Sequence, residues 1–234
     1  MTGERVGAER VIVALDRGTT AENLELIAQL RGRARWFKVG MREFYGGGER
    51  VLEAVRASGA RLFLDLKLHD IPQTVGSAAA VLSRWSPELL TVHASGGARM
   101  VRAAVDGSAV GTCVLAVTVL TSMEAEDLAP LGVSLGVDAL VESLAASALG
   151  AGAGGVVCSA HEVSRLRALH PDAVLVTPGI RPVGAAAGDQ RRVMGPGEAV
   201  AAGSSLLVVG RPIGEASDPA LAFDGIVGAV VGDE

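Results

Sequence analysis

The segment Asp65–Thr74, which reads DLKLHDIPQT, places charged side chains of both signs close together. Asp65, Lys67 and Asp70 follow an apolar run that is typical of a buried strand, where a charge is costly unless it is paired or used. Because side chains at i and i+2 of a strand share a face, Asp65 and Lys67 are predicted to project together, with Asp70 just past the strand end. An acid, a base and a second acid at the mouth of a strand indicate acid–base chemistry.

Short runs of Val, Ile and Leu recur along the chain, and each is followed by a longer segment of mixed polarity. The predicted strands are Val11–Asp16, Trp36–Gly40, Arg61–Lys67, Leu89–Ala94, Cys113–Leu120, Gly155–Ser159, Ala173–Pro178 and Ser205–Gly210. Helical patterns are predicted at Ala21–Leu30, Gly48–Ser58, Thr74–Arg84, Ala98–Gly107, Val137–Gly150 and His161–His170. This alternation predicts the α/β class and a (β/α)8 TIM barrel. A doubly wound sheet is the alternative, although no GxGxxG follows the first strand.

No composition shift or linker interrupts the alternation, so residues 1–234 are predicted to form a single catalytic domain. In a barrel of this kind the chemistry lies at the carboxyl ends of the strands. Polar residues fall at those predicted ends: Asp16, Lys38, Asp65, Lys67, Thr121, Ser122, Arg181 and Arg211. One charged strand end is explained by a chance salt bridge, but a whole rim of them is not. The sequence therefore predicts one polar site at the mouth of the barrel.

The composition argues against several classes of protein. Of the 234 residues 49% are hydrophobic and only 3% aromatic, so we expect a core of Val, Leu, Ile and Ala, as in parallel strands covered by helices. A net charge of -5 argues against nucleic-acid or anionic-membrane partners. The charged segment Met1–Arg10 lacks the apolar region of a signal peptide, and no apolar run approaches about 18 residues. We therefore expect a cytoplasmic protein.

The cysteine and histidine patterns predict neither a disulfide nor a metal site. Cys113 and Cys158 fall in predicted strands without CxxC spacing, which favours reduced core cysteines. The four histidines are scattered and form no HExxH pattern, so no structural metal is expected.

The segment Asp65–Thr74 resembles the signature of the orotidine 5'-monophosphate decarboxylase family, whose members catalyse the last step of UMP synthesis. Further segments that resemble this family are FKVG at 37–40, VHA at 92–94, LTS at 120–122, GVVCS at 155–159, TPGIRP at 177–182, GDQ at 188–190 and VGRPI at 209–213. The resemblance extends along essentially the whole chain. It implies a lyase of de novo pyrimidine biosynthesis that converts orotidine 5'-monophosphate to uridine 5'-monophosphate and CO2, with no cofactor and no metal.

The resemblance also implies an alternating array of Lys38, Asp65, Lys67 and Asp70. Loss of CO2 leaves a carbanion at C6 of the pyrimidine, which the Lys67 ammonium would stabilise and then protonate. A substrate carboxylate pressed toward Asp65 would be repelled, since two unit charges about 4 Å apart interact by roughly 4 kcal/mol at an effective dielectric near 20. We expect carbanion stabilisation to be the larger effect. A Lys67 that merely pairs with Asp65 is the alternative.

A homodimer with shared active sites follows from the same resemblance. In the family, the residues that match Asp70, Ile71 and Thr74 come from the partner subunit. Asp16 and Lys38 would contact the ribose hydroxyls, and Thr121 would contact the pyrimidine. For Asp16 a helix-cap role is open, and for Thr121 a cap or turn role.

The phosphate is expected at the end of the eighth strand, where barrels often bind such groups. Gly210 would let the backbone approach, and Arg211 would supply a planar cationic fork; a surface arginine after a tight turn is the alternative. The connection 180–194 is long for a βα loop and rich in small residues, which predicts a lid. Arg181 and Gln190 would be its working residues, and Gln190 would bridge phosphate and base. An ordinary surface loop is the alternative.

Two other functions remain open on the sequence. A metal-dependent sugar-phosphate decarboxylase or aldolase-like relative would need a divalent metal at an Asp-x-Lys-x-x-Asp site, but no acidic ligand beyond Asp16 is evident at the ends of the first two strands. The other is a phosphate-binding regulator without catalysis. The intact Lys67 and its charged array argue against it, because a binder gains little from clustered charges that are costly to bury.

Overall fold

The structure is a computed structural model and describes residues 3–181 and 194–232. Its strands are β1 Val11–Ala14, β2 Trp36–Gly40, β3 Arg61–Leu68, β4 Leu89–His93, β5 Cys113–Val117, β6 Gly155–Val157, β7 Val174–Thr177 and β8 Leu206–Val209. Its helices are α1 Gly3–Arg10, α2 Thr20–Gln29, α3 Met41–Gly47, α4 Glu49–Ser58, α5 Pro72–Leu82, α6 Ala98–Gly107, α7 Ala125–Leu128, α8 Val137–Gly150, α9 Val163–Leu169, α10 Pro196–Ala201, α11 Arg211–Gly214 and α12 Pro219–Val231. Short 3-10 helices lie at Ser83–Trp85, Ala94–Gly96 and Ala129–Leu131.

The strands form one closed barrel in which each strand pairs in parallel with its sequence neighbours, and β8 pairs with β1. Strands such as VIVA and LLVV are apolar throughout, as expected when a parallel sheet is covered on both faces. Helices follow the strands along the chain and cover the outside of the barrel. The predicted (β/α)8 TIM barrel is confirmed.

All eight predicted strands are present, but most of them end earlier than predicted. The first strand ends at Ala14 rather than Asp16, and the fifth ends at Val117 rather than Leu120. In both places the apolar run continues beyond the last residue that pairs with a neighbouring strand, so hydrophobicity overestimates the strand. By contrast, β3 extends one residue further, to Leu68.

The six predicted helices are also present: α6 and α8 have the predicted bounds, and the other four have shifted ends. The starts of α5 and α9 are each shifted by two residues. Helix α5 begins at Pro72 because proline fits the first helical turn, where no backbone N–H is needed. The helices that the sequence patterns did not delimit are α1, α3, α7, α10, α11 and α12. All but α12 have eight residues or fewer, too few for a 3.6-residue period to stand out. The sequence of α12, PALAFDGIVGAVV, is apolar nearly all round.

Alternate residues of each strand face two different compartments. Those that fill the barrel interior are Ile12, Ala14, Trp36, Phe63, Leu89, Leu115, Val176 and Val208. Their neighbours, such as Val11 and Val13, pack under the helices. Continued toward the carboxyl ends, the inward alternation reaches Lys38 on β2 and Asp65 on β3. The period of two thus places charged residues over the barrel interior.

Among the helices within residues 3–181 and 194–232, none is long and apolar enough to cross a lipid bilayer. Both cysteines are free thiols, with Cys113 partly buried and Cys158 buried. Burial raises the pKa of the Cys113 thiol to about 11, so this thiol is protonated at neutral pH.

Candidate active site

A cavity of about 470 Å³ opens at the carboxyl ends of the strands. Eight of the predicted site residues line it: Asp16, Lys38, Asp65, Lys67, Thr121, Arg181, Gly210 and Arg211. The apolar floor includes Ala14, Phe63 and Val208, which also belong to the barrel interior. The chain therefore brings residues from at least five strand ends to one polar mouth above an apolar floor.

Three of the predicted catalytic residues form a continuous charged row. The ammonium of Lys67 lies 2.7 Å from Asp65 Oδ1, and that of Lys38 lies 3.2 Å from Asp65 Oδ2. Lys38 also lies 3.6 Å from Asp16 Oδ2. The β2–β3 register explains this placement, because it pairs Gly40 with Asp65 and so sets Lys38 one inward position below Asp65. Positive and negative groups alternate along the row.

The row keeps its buried members ionised. Burial by itself raises the pKa of the Asp65 carboxyl, but the charges of Lys38 and Lys67 and the hydrogen bonds from Lys67 and Thr91 outweigh it and hold that pKa below its ordinary value. Burial by itself lowers the pKa of Lys38, but Asp65 and Asp16 outweigh it and raise that pKa. Both side chains are therefore charged at neutral pH.

The backbone at Lys67 is unusual. Lys67 has a φ of 50°, in the left-handed region that side chains other than glycine rarely adopt. The β3–β4 register shifts between Leu64 and Leu68, so Lys67 lies within a bulge. Its N–H donates to Thr91 Oγ1 at 2.9 Å, and the same hydroxyl donates to Asp65 Oδ1 at 3.0 Å. A bulge of this kind turns a side chain away from the regular alternation and toward a site.

Sequence reasoning missed Thr91, although a signal for it existed. Thr91 is a polar residue in the middle of the apolar run of LLTVH and shares its inward face with Leu89. Glu215 and Cys158, which line the cavity, were missed as well. Glu215 follows the short helix α11, whose bounds the sequence did not give.

Asp70, Ile71 and Thr74 do not join the row. All three are exposed, and none of them is among the described residues that line the cavity. The Asp70 carboxylate accepts the N–H of Ile71 at 2.6 Å. Within one chain, therefore, the array stops at Lys67, and the expectation that a second subunit supplies these residues stays a prediction.

The alternative roles as helix caps are wrong for both residues concerned. Helix α2 is capped by Thr19, whose hydroxyl accepts the N–H of Glu22, and not by Asp16. The cap residue of α7 is Glu124, and not Thr121, although Thr121 does lie in a turn, which was the other alternative for it. Both Asp16 and Thr121 line the cavity instead.

The residues predicted to bind phosphate lie at the end of β8. Gly210 precedes α11, and Arg211 is the first residue of that helix. The loop after β1 is tied to the same region, because Arg17 Nε donates to the carbonyl of Gly214 at 2.5 Å. Asn23 holds this loop from below by accepting the Arg17 backbone N–H at 3.0 Å. The two loops that would contact ribose and phosphate are thus joined.

The predicted lid lies mostly outside the described residues. Arg181 is described: it is buried, and its guanidinium donates to the carbonyl of Ile180 at 2.8 Å. An isolated bridge pairs Ile180 with Met194. Gln190 lies outside the described residues, as does the rest of 182–193.

His69 and His93 lie next to the charged row, with ring centroids 5.3 Å apart. The pKa of His93 is lowered, mainly by burial and then by the charges of the nearby His69 and Lys67. The charge of Asp65 has a smaller, opposing effect. A neutral His93 at pH 7 follows. Among the described residues no group of three or more His, Cys, Asp or Glu side chains is placed to hold a metal ion.

Comparison with known proteins shows which protein family this chain resembles. Residues 9–226 match the family described as "Orotidine 5'-phosphate decarboxylase / HUMPS family". The chain is 49% identical over 216 residues to orotidine 5'-phosphate decarboxylase from Anaeromyxobacter sp. (strain K), covering 92% of this chain and 95% of that one. It is 46% identical over 235 residues to the protein of the same name from Synechococcus sp. (strain WH7803), covering 96% of each. A crystal structure of orotidine 5'-phosphate decarboxylase from Lactobacillus acidophilus matches with a TM-score of 0.83 and 37% identity, over 95% of this chain and 99% of that chain.

Proposed function

Because the chain belongs to the orotidine 5'-phosphate decarboxylase / HUMPS family, we propose that its cavity decarboxylates orotidine 5'-monophosphate through a C6 carbanion that Lys67 protonates. The chain is an enzyme of the carboxy-lyase class, and its family and relatives support a place in pyrimidine biosynthesis. The observation that carries the proposal is the charged row of Lys38, Asp65 and Lys67 at the mouth of the barrel, with Lys38 and Asp65 buried and Lys67 partly buried.

The chemical step that we propose needs only one mobile proton. The bond between C6 and the carboxylate breaks, CO2 leaves, and the electron pair stays on C6. The Lys67 ammonium, which is held 2.7 Å from Asp65, stabilises this pair and then transfers a proton to C6. Lys67 is left as a neutral amine and regains its proton from solvent after the product leaves.

Asp65 has two proposed effects on this step. As a buried carboxylate between two ammonium groups, it keeps the Lys67 ammonium charged and aimed into the cavity. It also repels the substrate carboxylate until CO2 has left. We expect the first effect to be larger, since a preorganised ammonium stabilises the transition state more than the ground state.

The rest of the cavity is proposed to hold the nucleotide. Asp16 and Lys38 would contact the ribose hydroxyls, and Thr121 would contact the pyrimidine. Gly210 and Arg211 would bind the phosphate, with Arg181 and Gln190 contributing from the 180–194 connection. All of these residues except Gln190, which lies outside the described residues, line the same cavity, and this supports the assignment.

We further propose a homodimer in which Asp70, Ile71 and Thr74 of each subunit complete the cavity of the other. Their exposure supports this, since Ile71 is 65% exposed although it is a large apolar residue. Asp70 and Thr74 are exposed as well, so no described part of the same chain covers these three residues.

The assay follows the loss of orotidine absorbance when the protein is mixed with orotidine 5'-monophosphate in the presence of EDTA. We expect turnover that EDTA does not diminish, and a loss of at least about 10³-fold in Lys67→Ala, because that variant lacks both the proton donor and the stabilising charge. Arg56→Ala, on the exposed face of α4, is the control and should retain wild-type turnover. No turnover by the wild type, or turnover only with a divalent metal, would reject the proposal.

A further inference from the structure

The hydroxyl of Thr91 is the only described side-chain group that binds both the main chain of Lys67 and the side chain of Asp65. Thr91 lies in the middle of β4 and has no exposed surface. A threonine hydroxyl has one hydrogen to donate and lone pairs to accept. Here it donates to Asp65 Oδ1 at 3.0 Å and accepts the Lys67 N–H at 2.9 Å.

The bond to Lys67 acts where the sheet itself gives no support. The β3–β4 ladder pairs Leu64 with Leu90 and next pairs Leu68 with Val92, so the residues between them lack regular partners on β4. Lys67 is in the left-handed conformation there, with a φ of 50°. Such a conformation persists only where surrounding groups hold it. Thr91 supplies that hold, because it satisfies the N–H that the bulge leaves without a strand partner.

The bond to Asp65 fixes the orientation of the carboxylate. Asp65 Oδ1 accepts from Thr91 and from the Lys67 ammonium, while Oδ2 faces the Lys38 ammonium. With the hydroxyl removed, the two flexible lysine side chains are the remaining partners of the carboxylate among the described residues. The hydrogen bond from Thr91 is also one of the causes that lower the pKa of Asp65.

We propose that Thr91 is a positioning residue for the reaction: its buried hydroxyl holds the Lys67 backbone in the left-handed bulge and the Asp65 carboxylate in one orientation, and so aims the Lys67 ammonium into the cavity. This inference rests on the proposed function, since it concerns the same Lys67. Thr91 itself is not among the described residues that line the cavity, so it acts through Lys67 and Asp65.

The test compares kcat and KM for orotidine 5'-monophosphate in Thr91→Val and Thr91→Ser. Valine keeps the volume and removes the hydroxyl, and we expect a fall in kcat of about 10-fold or more with KM changed less than about 3-fold, since small misplacements of a reacting group are costly. Serine keeps the hydroxyl and should restore kcat to within about 3-fold of wild type.

The pH dependence of kcat is a second measurement. In Thr91→Val the fall of kcat at acid pH should begin at a higher pH than in wild type, because Asp65 loses a hydrogen bond that lowers its pKa.

Thr177→Val is the matched control. Thr177 is equally buried on β7, and its hydroxyl lies 2.7 Å from Ser204 Oγ rather than near the charged row. This variant should lose stability as Thr91→Val does but keep kcat. If Thr91→Val does not fold, Thr91→Ala and Thr91→Ser replace the comparison, because they differ only in the hydroxyl; the alanine variant should then be about 10-fold or more slower.

A Thr91→Val or Thr91→Ala protein with kcat within about 2-fold of its hydroxyl-bearing counterpart would overturn the inference. So would a Thr177→Val protein whose kcat falls as far as that of Thr91→Val, since the loss would then come from general destabilisation. Both results presuppose a wild-type protein that turns over orotidine 5'-monophosphate. Failure of the wild type in that assay would instead reject the proposed function.

Discussion

At the scale of single residues, the charged row explains how ionised groups can be buried at the mouth of an apolar barrel. Asp65 and Lys38 are each 8% exposed, and an isolated charge would be costly at that depth. Each is compensated by neighbours of opposite sign within 3.6 Å. The row is therefore a unit, and removing one member leaves the others without compensation.

Asp65→Asn should lower the free energy of unfolding by about 3 kcal/mol at pH 7, because it leaves two ammonium groups facing a neutral amide. The pKa of Asp65 lies below its ordinary value in the folded protein, so its stabilising effect is fully present above that ordinary value and is lost as the pH falls through the folded pKa. Urea denaturation should show a constant difference from wild type between about pH 5 and 7, and a shrinking one below about pH 4.

The pH dependence has the opposite sign for Lys38, because its pKa is raised in the folded protein. Its contribution to stability is fully present at pH values below its ordinary pKa and is lost as the pH rises through the folded pKa. The control for Asp65→Asn is Asp172→Asn, at an exposed position, whose free energy of unfolding should match that of wild type within about 0.5 kcal/mol. Equal unfolding free energies for Asp65→Asn and wild type at pH 7 would contradict the view of the row as a compensated unit.

At the scale of elements, the last residue of β2 must lack a side chain for the charged row to form. Gly40 is the last residue of β2 and lies two positions after Lys38, on the same face. A Cβ at residue 40 would lie 3.2 Å from Lys38 Nζ and 3.5 Å from Asp16 Oδ1. The glycine therefore leaves room for the ammonium of Lys38 rather than serving an unusual backbone conformation, since its φ is -85°.

Gly40→Ala should reduce kcat/KM by about 10-fold or more, because the added methyl group displaces the Lys38 ammonium from Asp65 and Asp16. Gly46→Ala is the control on the adjoining helix α3, where a Cβ would meet nothing within 4 Å. That change should leave kinetics intact and stabilise the helix by up to about 1 kcal/mol. Steady-state kinetics and urea denaturation of both variants check this, and equal kinetics for the two would show that the end of β2 tolerates a side chain.

At the scale of the whole molecule, only part of the segment Asp65–Thr74 contributes to the cavity of its own chain. Asp65 and Lys67 line the cavity, while Asp70 and Ile71 lie exposed just before α5 and Thr74 lies exposed in its first turn. None of these three is among the described residues that line the cavity of the same chain. A symmetric dimer would give both copies the same use of this surface.

Mixing the two inactive variants Lys67→Ala and Asp70→Ala should restore activity under proven subunit exchange. In the mixed dimer one site carries both lesions and the other carries neither, so a random equal mixture should recover about one quarter of the wild-type activity. Lys67→Ala mixed with Asp65→Asn is the control, because every site then keeps one lesion and no activity should return. If the first mixture stays as inactive as the second, the shared site is wrong.

The sequence by itself determined the repeated alternation of apolar strands and amphipathic helices, and with it the closed barrel. It also placed Asp16, Lys38, Asp65, Lys67, Thr121, Arg181 and Arg211 at predicted strand ends, which is why they could be predicted as one site. Ser122, which was predicted with them, is not among the described residues that line the cavity. Both inferences rest on local periods of two and 3.6 residues, which the chain carries in its own order. The helices too short to show a period, such as α3 and α11, were beyond this reasoning.

Only the tertiary structure decided which side chains meet across strands. The bulge between Leu64 and Leu68 shifts the β3–β4 register, turns Lys67 into a left-handed conformation and brings its N–H to Thr91. The tie from Arg17 to Gly214 likewise joins residues that are 197 positions apart. Such contacts depend on how neighbouring strands are aligned, and no local pattern encodes that alignment, because the hydrogen bonds that set it form only when the barrel closes.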